Sequence, residues 1–172
     1  MKRIVLISFL CLLAPAFSHA DTYVHGSVGE AEFSSGGSPS MFEFGLGFDV
    51  GRSLIFELSY VNLGTVDSPN DEFSFIEEEA DGFNAALVAD VPLNDQISIY
   101  FTAGYLFWDD TARLIEDGFQ VDSVVFEGED WNFGAGIKIE IYEDLDFDFG
   151  YTEYNLDDIE VDSISAGIIY RF

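Results

Sequence analysis

The 172-residue sequence has little cysteine, histidine or positive charge, and each shortage narrows what the chain can do. Its single cysteine, Cys11, lies in the apolar start of the chain, so the remainder lacks thiols for disulfides, redox chemistry or sulfur-ligated metals. No later segment holds the roughly 20 uninterrupted apolar residues that a membrane helix requires. Six basic residues against 33 acidic ones argue against nucleic acid and anionic surfaces as partners.

The start of the chain has the pattern of an export signal. Lys2 and Arg3 form a basic beginning, residues 4–17 an apolar centre, and residues 18–20 a small-residue cleavage site before Asp21. We therefore predict a signal peptide at residues 1–20, removed after export through the general secretory route. The mature domain is then residues 21–172.

Aromatic residues are abundant, and their number argues against a disordered chain. An acidic, weakly hydrophobic chain stays unfolded because it cannot bury enough apolar surface. Here 48% of residues are hydrophobic, with 18 Phe and 8 Tyr among them. The chain therefore has the material for a folded domain, although that material is not arranged as helices.

From residue 22 onward, hydrophobic residues alternate with polar ones in eight segments of about ten residues, separated by turn signals. Met41–Val50 is the clearest example: Glu43 lies on one face of the predicted strand and Phe44 on the other. The apolar face of this segment consists of Phe42, Phe44, Leu46, Phe48 and Val50. Period-two segments of this length are typical of membrane-spanning β-strands.

The polar faces decide which way the predicted strands point. They carry charged residues such as Glu43, Glu57 and Lys138, which a dry protein interior cannot hold unpaired. The apolar faces must then point outward, where only lipid can cover them, and hydrocarbon allows no unpaired sheet edge. We therefore predict an all-β protein, an eight-stranded antiparallel transmembrane up-and-down β-barrel. The expected lipid-facing residues near the chain end are Phe147, Phe149, Ile168, Tyr170 and Phe172, and the expected interfacial aromatics are Tyr23, Tyr60, Phe83, Trp131, Tyr151, Tyr170 and Phe172.

The connections alternate in length and orient this barrel. Short turns at 51–53, 92–96 and 142–144 are expected on the periplasmic side, and the longer segments 34–40, 64–82 and 109–130 outside. Glu116-Asp117-Gly118 is a hairpin signal, and Ser68–Asp71 is a similar one between Val66 and Phe73. We therefore predict that strands continue past the membrane as a protruding, negatively charged β-ribbon.

Three stretches of the chain carry a family resemblance. The last strand, ISAGIIYRF, and the stretch GAGIKIEIYEDLDFDFGYTEYN resemble the transmembrane domain of the outer membrane protein A family and its small relatives. TYVHGSVGEAEF is similar to the first strand of that family. The sequence ends at Phe172, so the family's periplasmic peptidoglycan-binding domain, and with it anchoring to the wall, is not expected.

The resemblance implies a location and partners. The protein would lie in the outer membrane of a Gram-negative bacterium as a monomer, in contact with outer membrane lipids and lipopolysaccharide. The barrel assembly machinery would read the terminal aromatic Phe172, after periplasmic chaperones have carried the chain there. Nucleic acid is not a predicted partner.

The lumen is expected to hold a charge network. If the turn centres near Glu143, antiparallel pairing places Lys138 opposite Asp148 and Arg171 close to Asp146. Eight strands leave a lumen that side chains can fill, which argues against a general porin. The predicted network comprises Lys138, Asp148, Arg171, Asp146, Glu140, Glu43 and Glu57. It is either a static structural plug, which we favour, or a gate like the one the resemblance implies.

The leading functional hypothesis is a non-enzymatic outer membrane barrel that supports envelope integrity and presents acidic loops at the surface. The alternatives are a narrow cation-preferring channel, a lipid A-modifying enzyme that uses His25 and Ser27, and an exported soluble ligand-binding barrel. For His25 we favour a structural role in the lumen. The acidic runs at 77–81 and 127–130 offer oxygen ligands for Ca²⁺, but solvated surface charge is the favoured interpretation, and no cofactor or metal site is predicted.

Overall fold

The computed structural model describes residues 22–51, 53–71, 74–116, 119–157 and 159–172. The predicted signal peptide, residues 1–20, lies outside the described residues. The same holds for Arg52 in the first short turn, for Phe73, and for Asp117 and Gly118 of the second hairpin signal. Within the described part of the chain, no helix is long and apolar enough to cross a membrane.

Eight strands follow one another and close into a barrel, which confirms the predicted fold. Each strand pairs antiparallel with its neighbours in sequence, and the last pairs with the first. The strands are β1 (Thr22–Phe33), β2 (Ser40–Gly51), β3 (Leu54–Asp71), β4 (Ser74–Pro92), β5 (Ile97–Glu116), β6 (Phe119–Tyr142), β7 (Leu145–Leu156) and β8 (Ile159–Arg171). At the closure, the Phe172 amide donates to the Thr22 carbonyl at 2.9 Å.

The alternation places apolar side chains on the outside of the barrel, as predicted. Phe149 is 52% exposed, whereas Asp146 on the opposite face of β7 is almost fully buried. Tyr23 is the exception among the predicted interfacial aromatics, because it points into the lumen and is buried. Tyr23 lies two residues before His25 and four before Ser27, so its side chain is on the same, inward face of β1. The two-residue period of the strand, and not the aromatic character of Tyr23, therefore determines which face it occupies.

The middle strands form a sheet that continues past the rest of the barrel. β2 pairs with β3 only as far as Phe42↔Asn62, but β4 pairs with β5 from Pro92↔Ser98 to Ser74↔Glu116. We call this part the extension; it consists of Gly64–Asp71, Ser74–Gly82, Asp109–Glu116 and Phe119–Asp130. The sequence predicted a ribbon here, and the structure shows that the two hairpins join into one four-stranded sheet.

The barrel therefore has two different ends. The turn end carries the three short turns and both ends of the described chain, Thr22 and Phe172. The extension end carries the four-stranded sheet. Between them, the lumen holds two clusters of buried apolar side chains, a large one toward the extension and a small one toward the turns.

Candidate functional site

The half of the lumen nearest the extension is filled by an apolar plug. Val61 and Val161 in it are fully buried. The plug consists of Ala31, Met41, Val61, Leu63, Ala80, Leu106, Trp108, Tyr154, Leu156 and Val161. The inward faces, predicted from the alternation to be polar, are apolar at this level. An apolar core is stable at this level because the facing strands are close enough for their side chains to meet without water.

The middle of the lumen holds a cluster of one histidine and two carboxylates. The Tyr23 hydroxyl donates to Glu57 Oε2 at 2.5 Å, and Ser59 Oγ donates to Glu43 Oε1, also at 2.5 Å. His25 Nε2 lies 3.6 Å from Glu57 Oε1. One ligand atom from each of His25, Glu43 and Glu57 lies within 4.8 Å of the other two. We call these three residues the lumen triad.

Two glycines of β2 leave space for the side chains of His25 and Tyr23. Gly45 and Gly47 occupy inward positions of β2, opposite His25 and Tyr23 of β1 in the register. A Cβ atom at Gly45 would clash with His25 Nε2, and one at Gly47 would clash with the Tyr23 ring. The alternation of glycine with large apolar residues in FGLGF thus lets His25 and Tyr23 lie across β2 toward β3.

Lys138 lies beside this cluster, almost fully buried, and its ion pair differs from the predicted one. The register places Lys138 opposite Asp148, as a turn near Glu143 requires. Its ammonium, however, lies 3.3 Å from Asp90 Oδ2, across β5, and 5.1 Å from the centre of the Tyr100 ring. The long side chain of Lys138 extends past β5 to reach β4. Strand register gives only the neighbours on adjacent strands and therefore does not predict this pair.

One carboxylate oxygen of Asp148 lies beside Gly167 of β8. A Cβ atom at Gly167 would lie 2.5 Å from Asp148 Oδ1, so the absence of a side chain there gives the carboxylate its space. Tyr100 Oη lies 3.5 Å from Asp148 Oδ2. Asp148 therefore adds a third carboxylate to the middle of the lumen.

A bidentate ion pair lies at the turn end of the lumen. Both terminal nitrogens of Arg171 donate to the carboxylate of Asp146, one of them at 3.1 Å, and the Asp146 side chain is 2% exposed. Glu140, predicted as part of the same network, is exposed at the rim beside a β-bulge between Glu140 and Tyr142. The structure thus does not bring Glu140 into the lumen.

Two cavities lie in line along the lumen. One, of about 60 Å³, is lined by the lumen triad together with Lys138 and Asp148. The other, of about 400 Å³, opens at the turn end beside Asp90. Tyr23, Lys138 and Ile169 line both. The cavity of the lumen triad therefore adjoins the cavity that opens at the turn end, and the apolar plug lies between the triad and the extension.

The extension is strongly acidic. Segment 64–82 contains seven acidic residues and no basic one, and segment 109–130 contains eight acidic residues and Arg113. Arg113 donates to Glu77 at 2.8 Å and to Glu79 at 2.9 Å. These hydrogen bonds raise the pKa of the Arg113 guanidinium, and they occupy two of the carboxylates considered as Ca²⁺ ligands. Among the other described acidic side chains of this region, Glu116, Asp122, Glu127 and Glu129 are exposed as surface charge, whereas Asp110 is partly buried.

The outward residues near the chain end form part of an exposed apolar belt. Ile168 of β8 faces outward beside Phe147 of β7, its partner in the register. The rings of Tyr170 and Phe172 pack edge to face, 5.3 Å between centroids, at the turn end. The exposed members of this group are Phe147, Phe149, Ile168, Tyr170 and Phe172. Aromatic rings at the end of a lipid-facing belt suit the membrane interface.

Comparison with known proteins gives one family and several similar structures. The sequence profile described as "Outer membrane protein beta-barrel domain" matches residues 4–172. No curated protein matches the chain in sequence. The Neisserial surface protein A structure is 15% identical with a TM-score of 0.69, covering 88% of this chain and 97% of its own.

Two further structures share the fold. The attachment invasion locus protein of Yersinia pestis, solved in complex with the heparin analogue sucrose octasulfate, is 16% identical with a TM-score of 0.65, covering 89% of this chain and 99% of its own. The N-terminal β-barrel domain of Pseudomonas aeruginosa OprF is 14% identical with a TM-score of 0.57, covering 90% of this chain and 100% of its own.

Proposed function

This chain belongs to the outer membrane protein beta-barrel family and lies in the Gram-negative outer membrane, and from this premise we propose a non-enzymatic role at the cell surface. The protein contributes to envelope integrity through its barrel and presents the extension to partners outside the cell. The observation that carries the proposal is the four-stranded sheet, which continues beyond the lipid-facing belt and whose outer strand β6 has no paired strand on its outer side before Asn132 among the described residues.

The orientation of the barrel supports this role. In barrels of this type, short turns face the periplasm and long connections face outward. The turn end then faces the periplasm, and the extension stands outside the cell. Its outer strands, β3 and β6, lose their paired barrel neighbours after Asn62 and before Asn132, and on β6 this leaves a strand edge to which a further strand can add.

Apolar side chains on the β6 edge add to this surface. Val124, Val125 and Phe126 are all exposed in the extension, where no lipid covers them. Exposed apolar groups beside an open strand edge are the features that strand-addition partners use: backbone hydrogen bonds give affinity and side-chain pockets give specificity. A partner that adds a strand to β6 would cover both.

The charge of the extension restricts the chemistry of that partner. The Yersinia pestis protein of the same fold was solved with a polyanion, the heparin analogue sucrose octasulfate. The extension here carries a large excess of carboxylates over its one basic residue, which repels polyanions. We therefore propose a partner with basic side chains, or lipopolysaccharide phosphate bridged through divalent cations.

The alternatives have less support. A cation channel would need a continuous aqueous path, whereas the apolar plug lies across the lumen. A lipid A-modifying enzyme would need its base toward lipid, whereas His25 points into the lumen at the level of the lumen triad. Neither alternative accounts for the extension.

Two changes to the extension test the proposal in a strain that lacks the protein. The first variant joins β3 to β4 and β5 to β6 by two-residue turns at the level of Leu63 and Trp108, and removes the extension. We expect it to restore resistance to detergent with EDTA but to lose adhesion to surfaces coated with basic matrix proteins. Unboiled and boiled samples on gels verify that the barrel folds.

The second variant, Phe126→Lys, places a charge on the apolar edge, and Ser123→Lys adds the same charge on the opposite face of β6 as its control. We expect at least about a fivefold loss of adhesion with Phe126→Lys and little change with Ser123→Lys. Adhesion that survives removal of the extension would refute the surface role.

A further inference from the structure

The lumen triad contains one buried ligand atom without a hydrogen-bond partner, His25 Nε2. The His25 side chain is 10% exposed, and its Nε2 atom forms no hydrogen bond. At 3.6 Å, Glu57 Oε1 lies beyond hydrogen-bond distance from it. A buried imidazole nitrogen aimed at two carboxylates without a partner calls for either a proton or a cation between them.

The charges around the triad favour a cation. Glu43, Glu57 and Asp148 line the same cavity, and Lys138 is the one permanent cation among the residues that line it. Lys138 is already engaged by Asp90. Two carboxylates side by side in a lumen of low dielectric repel each other unless one of them is protonated or a cation lies between them. A divalent ion supplies two charges at one point.

We propose that His25, Glu43 and Glu57 bind one divalent transition-metal ion, for which Zn²⁺ is the test ion, reached from the periplasmic turn end. The proposal goes beyond the surface role and does not depend on it. One imidazole nitrogen and two carboxylate oxygens are a donor set that Zn²⁺ accepts, whereas Ca²⁺ and Mg²⁺ prefer oxygen alone. The cavity of about 60 Å³ leaves room for a water molecule in the fourth position.

The three ligand atoms of the lumen triad are only slightly farther apart than they would be around a bound Zn²⁺ ion. Zn²⁺ holds its ligands at about 2.0–2.2 Å, which in a tetrahedral site separates two ligand atoms by about 3.3–3.6 Å. The His25–Glu57 pair is already at 3.6 Å, and the whole group lies within 4.8 Å. Binding of Zn²⁺ would require the Glu43 oxygen to move closer to the other two ligand atoms, by a change in the side-chain torsion angles of Glu43.

The neighbours of the triad are arranged as supporting hydrogen-bond donors. Tyr23 holds Glu57 Oε2, which leaves Glu57 Oε1 toward His25, and Ser59 holds Glu43 Oε1. Donors of this kind orient metal ligands, and their loss lowers metal affinity by about 10- to 100-fold. The cavity of about 400 Å³ at the turn end is lined by Asp49, Asp90 and Asp144, whose negative charge raises the local concentration of cations there.

The experiment uses the untagged mature protein, residues 21–172, purified from outer membranes in detergent and stripped with EDTA. Titration with Zn²⁺ against a chromophoric chelator should give one tight site per chain, and Co²⁺ should give the intense visible bands of a four-coordinate site. Glu57→Gln should weaken Zn²⁺ binding by at least tenfold. Glu78→Gln, in the extension, is the control and should leave binding unchanged.

Two further measurements guard against misfolding as an explanation. Tyr23→Phe keeps all three ligands and should still weaken Zn²⁺ binding by about 10- to 100-fold. His25 is the one histidine in residues 21–172, so ¹⁵N-histidine labelling gives a single imidazole whose Nε2 signal should shift on adding Zn²⁺. Absence of a stoichiometric site, binding that survives Glu57→Gln, or an unshifted imidazole signal would overturn the proposal.

Discussion

Arg171 and Asp146 join the last two strands at the turn end through two parallel hydrogen bonds, with the carboxylate buried and the guanidinium partly exposed. Removing the arginine leaves a buried charge without a partner, which costs about 3–5 kcal/mol for a fully buried pair. Since water reaches Arg171, we expect Arg171→Leu to destabilise the barrel near the lower end of this range.

Urea unfolding, followed by the gel shift between folded and unfolded protein, measures this loss. The double variant Arg171→Leu, Asp146→Leu should recover most of it, because the buried charge is then gone as well. A double variant no more stable than Arg171→Leu would show that the pair is not the source of the effect.

Gly45 supplies the space in which the His25 imidazole lies, so Gly45→Ala should destabilise the folded barrel. The added methyl group would fall on His25 Nε2 and lie 2.5 Å from the Leu58 carbonyl oxygen. Overpacking of this kind costs about 1–3 kcal/mol. Gly26→Ala is the matched control, because a Cβ there has nothing nearer than 3.9 Å and faces outward. Equal unfolding midpoints in urea for the two variants would contradict the close packing.

The apolar plug predicts that the barrel does not conduct. Its members Val61, Leu63 and Leu106 are almost fully buried, so hydrated ions find no polar path through this level. Purified protein in planar bilayers should give no discrete current steps, while a general porin in the same bilayer serves as the positive control. Reproducible cation-selective steps that are absent from detergent blanks would revive the channel hypothesis.

Asp110 predicts how the stability of the extension depends on pH. Burial, and secondarily the charge of Glu78, raise the pKa of the Asp110 carboxyl, and its Oδ1 atom is buried without a hydrogen bond. The folded state therefore binds this proton more tightly than the unfolded state does. The extension should be least stable above the raised pKa and gain stability as the pH falls through it.

Amide hydrogen exchange of strand β5, corrected for intrinsic rates, measures this effect. Protection within residues 109–116 should increase from pH 7 to pH 5, and Asp110→Asn should abolish most of the increase. Asp122→Asn, on the exposed edge of the same sheet, should leave it intact. The same pH response in wild type and Asp110→Asn would exclude Asp110 as its cause.

Most of the fold could be predicted from the alternation of apolar and polar residues in the sequence. Residues such as Phe44 and Phe149 reveal the lipid-facing side, because a period of two assigns every side chain of a strand to one of two faces. The turn near Glu143 gave the register of Lys138 with Asp148. Strand number, strand order and facing direction were therefore predictable from local pattern.

The lumen was less predictable, because its contacts cross the barrel. Asp90 meets Lys138 from two strands away, and Glu57 of β3 meets His25 of β1 across β2. These neighbours depend on the stagger of the closed sheet and on the glycines between them, which no single strand reveals. The apolar plug had one local sign: Val61 and Leu63 interrupt the polar parity of β3 where the extension begins.

The closure of β1 on β8 has a consequence for how the barrel assembles. Every other pairing joins strands adjacent in sequence, so each can zip from its own hairpin, whereas the closure joins Tyr23 to Arg171 and must bring together the two ends of the domain. Loop-closure entropy makes such a step slow. The lumen triad lies on β1–β3 and the Arg171–Asp146 pair on β7–β8. The lumen triad and the Arg171–Asp146 pair can therefore both form before β1 pairs with β8. Folding intermediates in which β1 and β8 are still apart should already contain both.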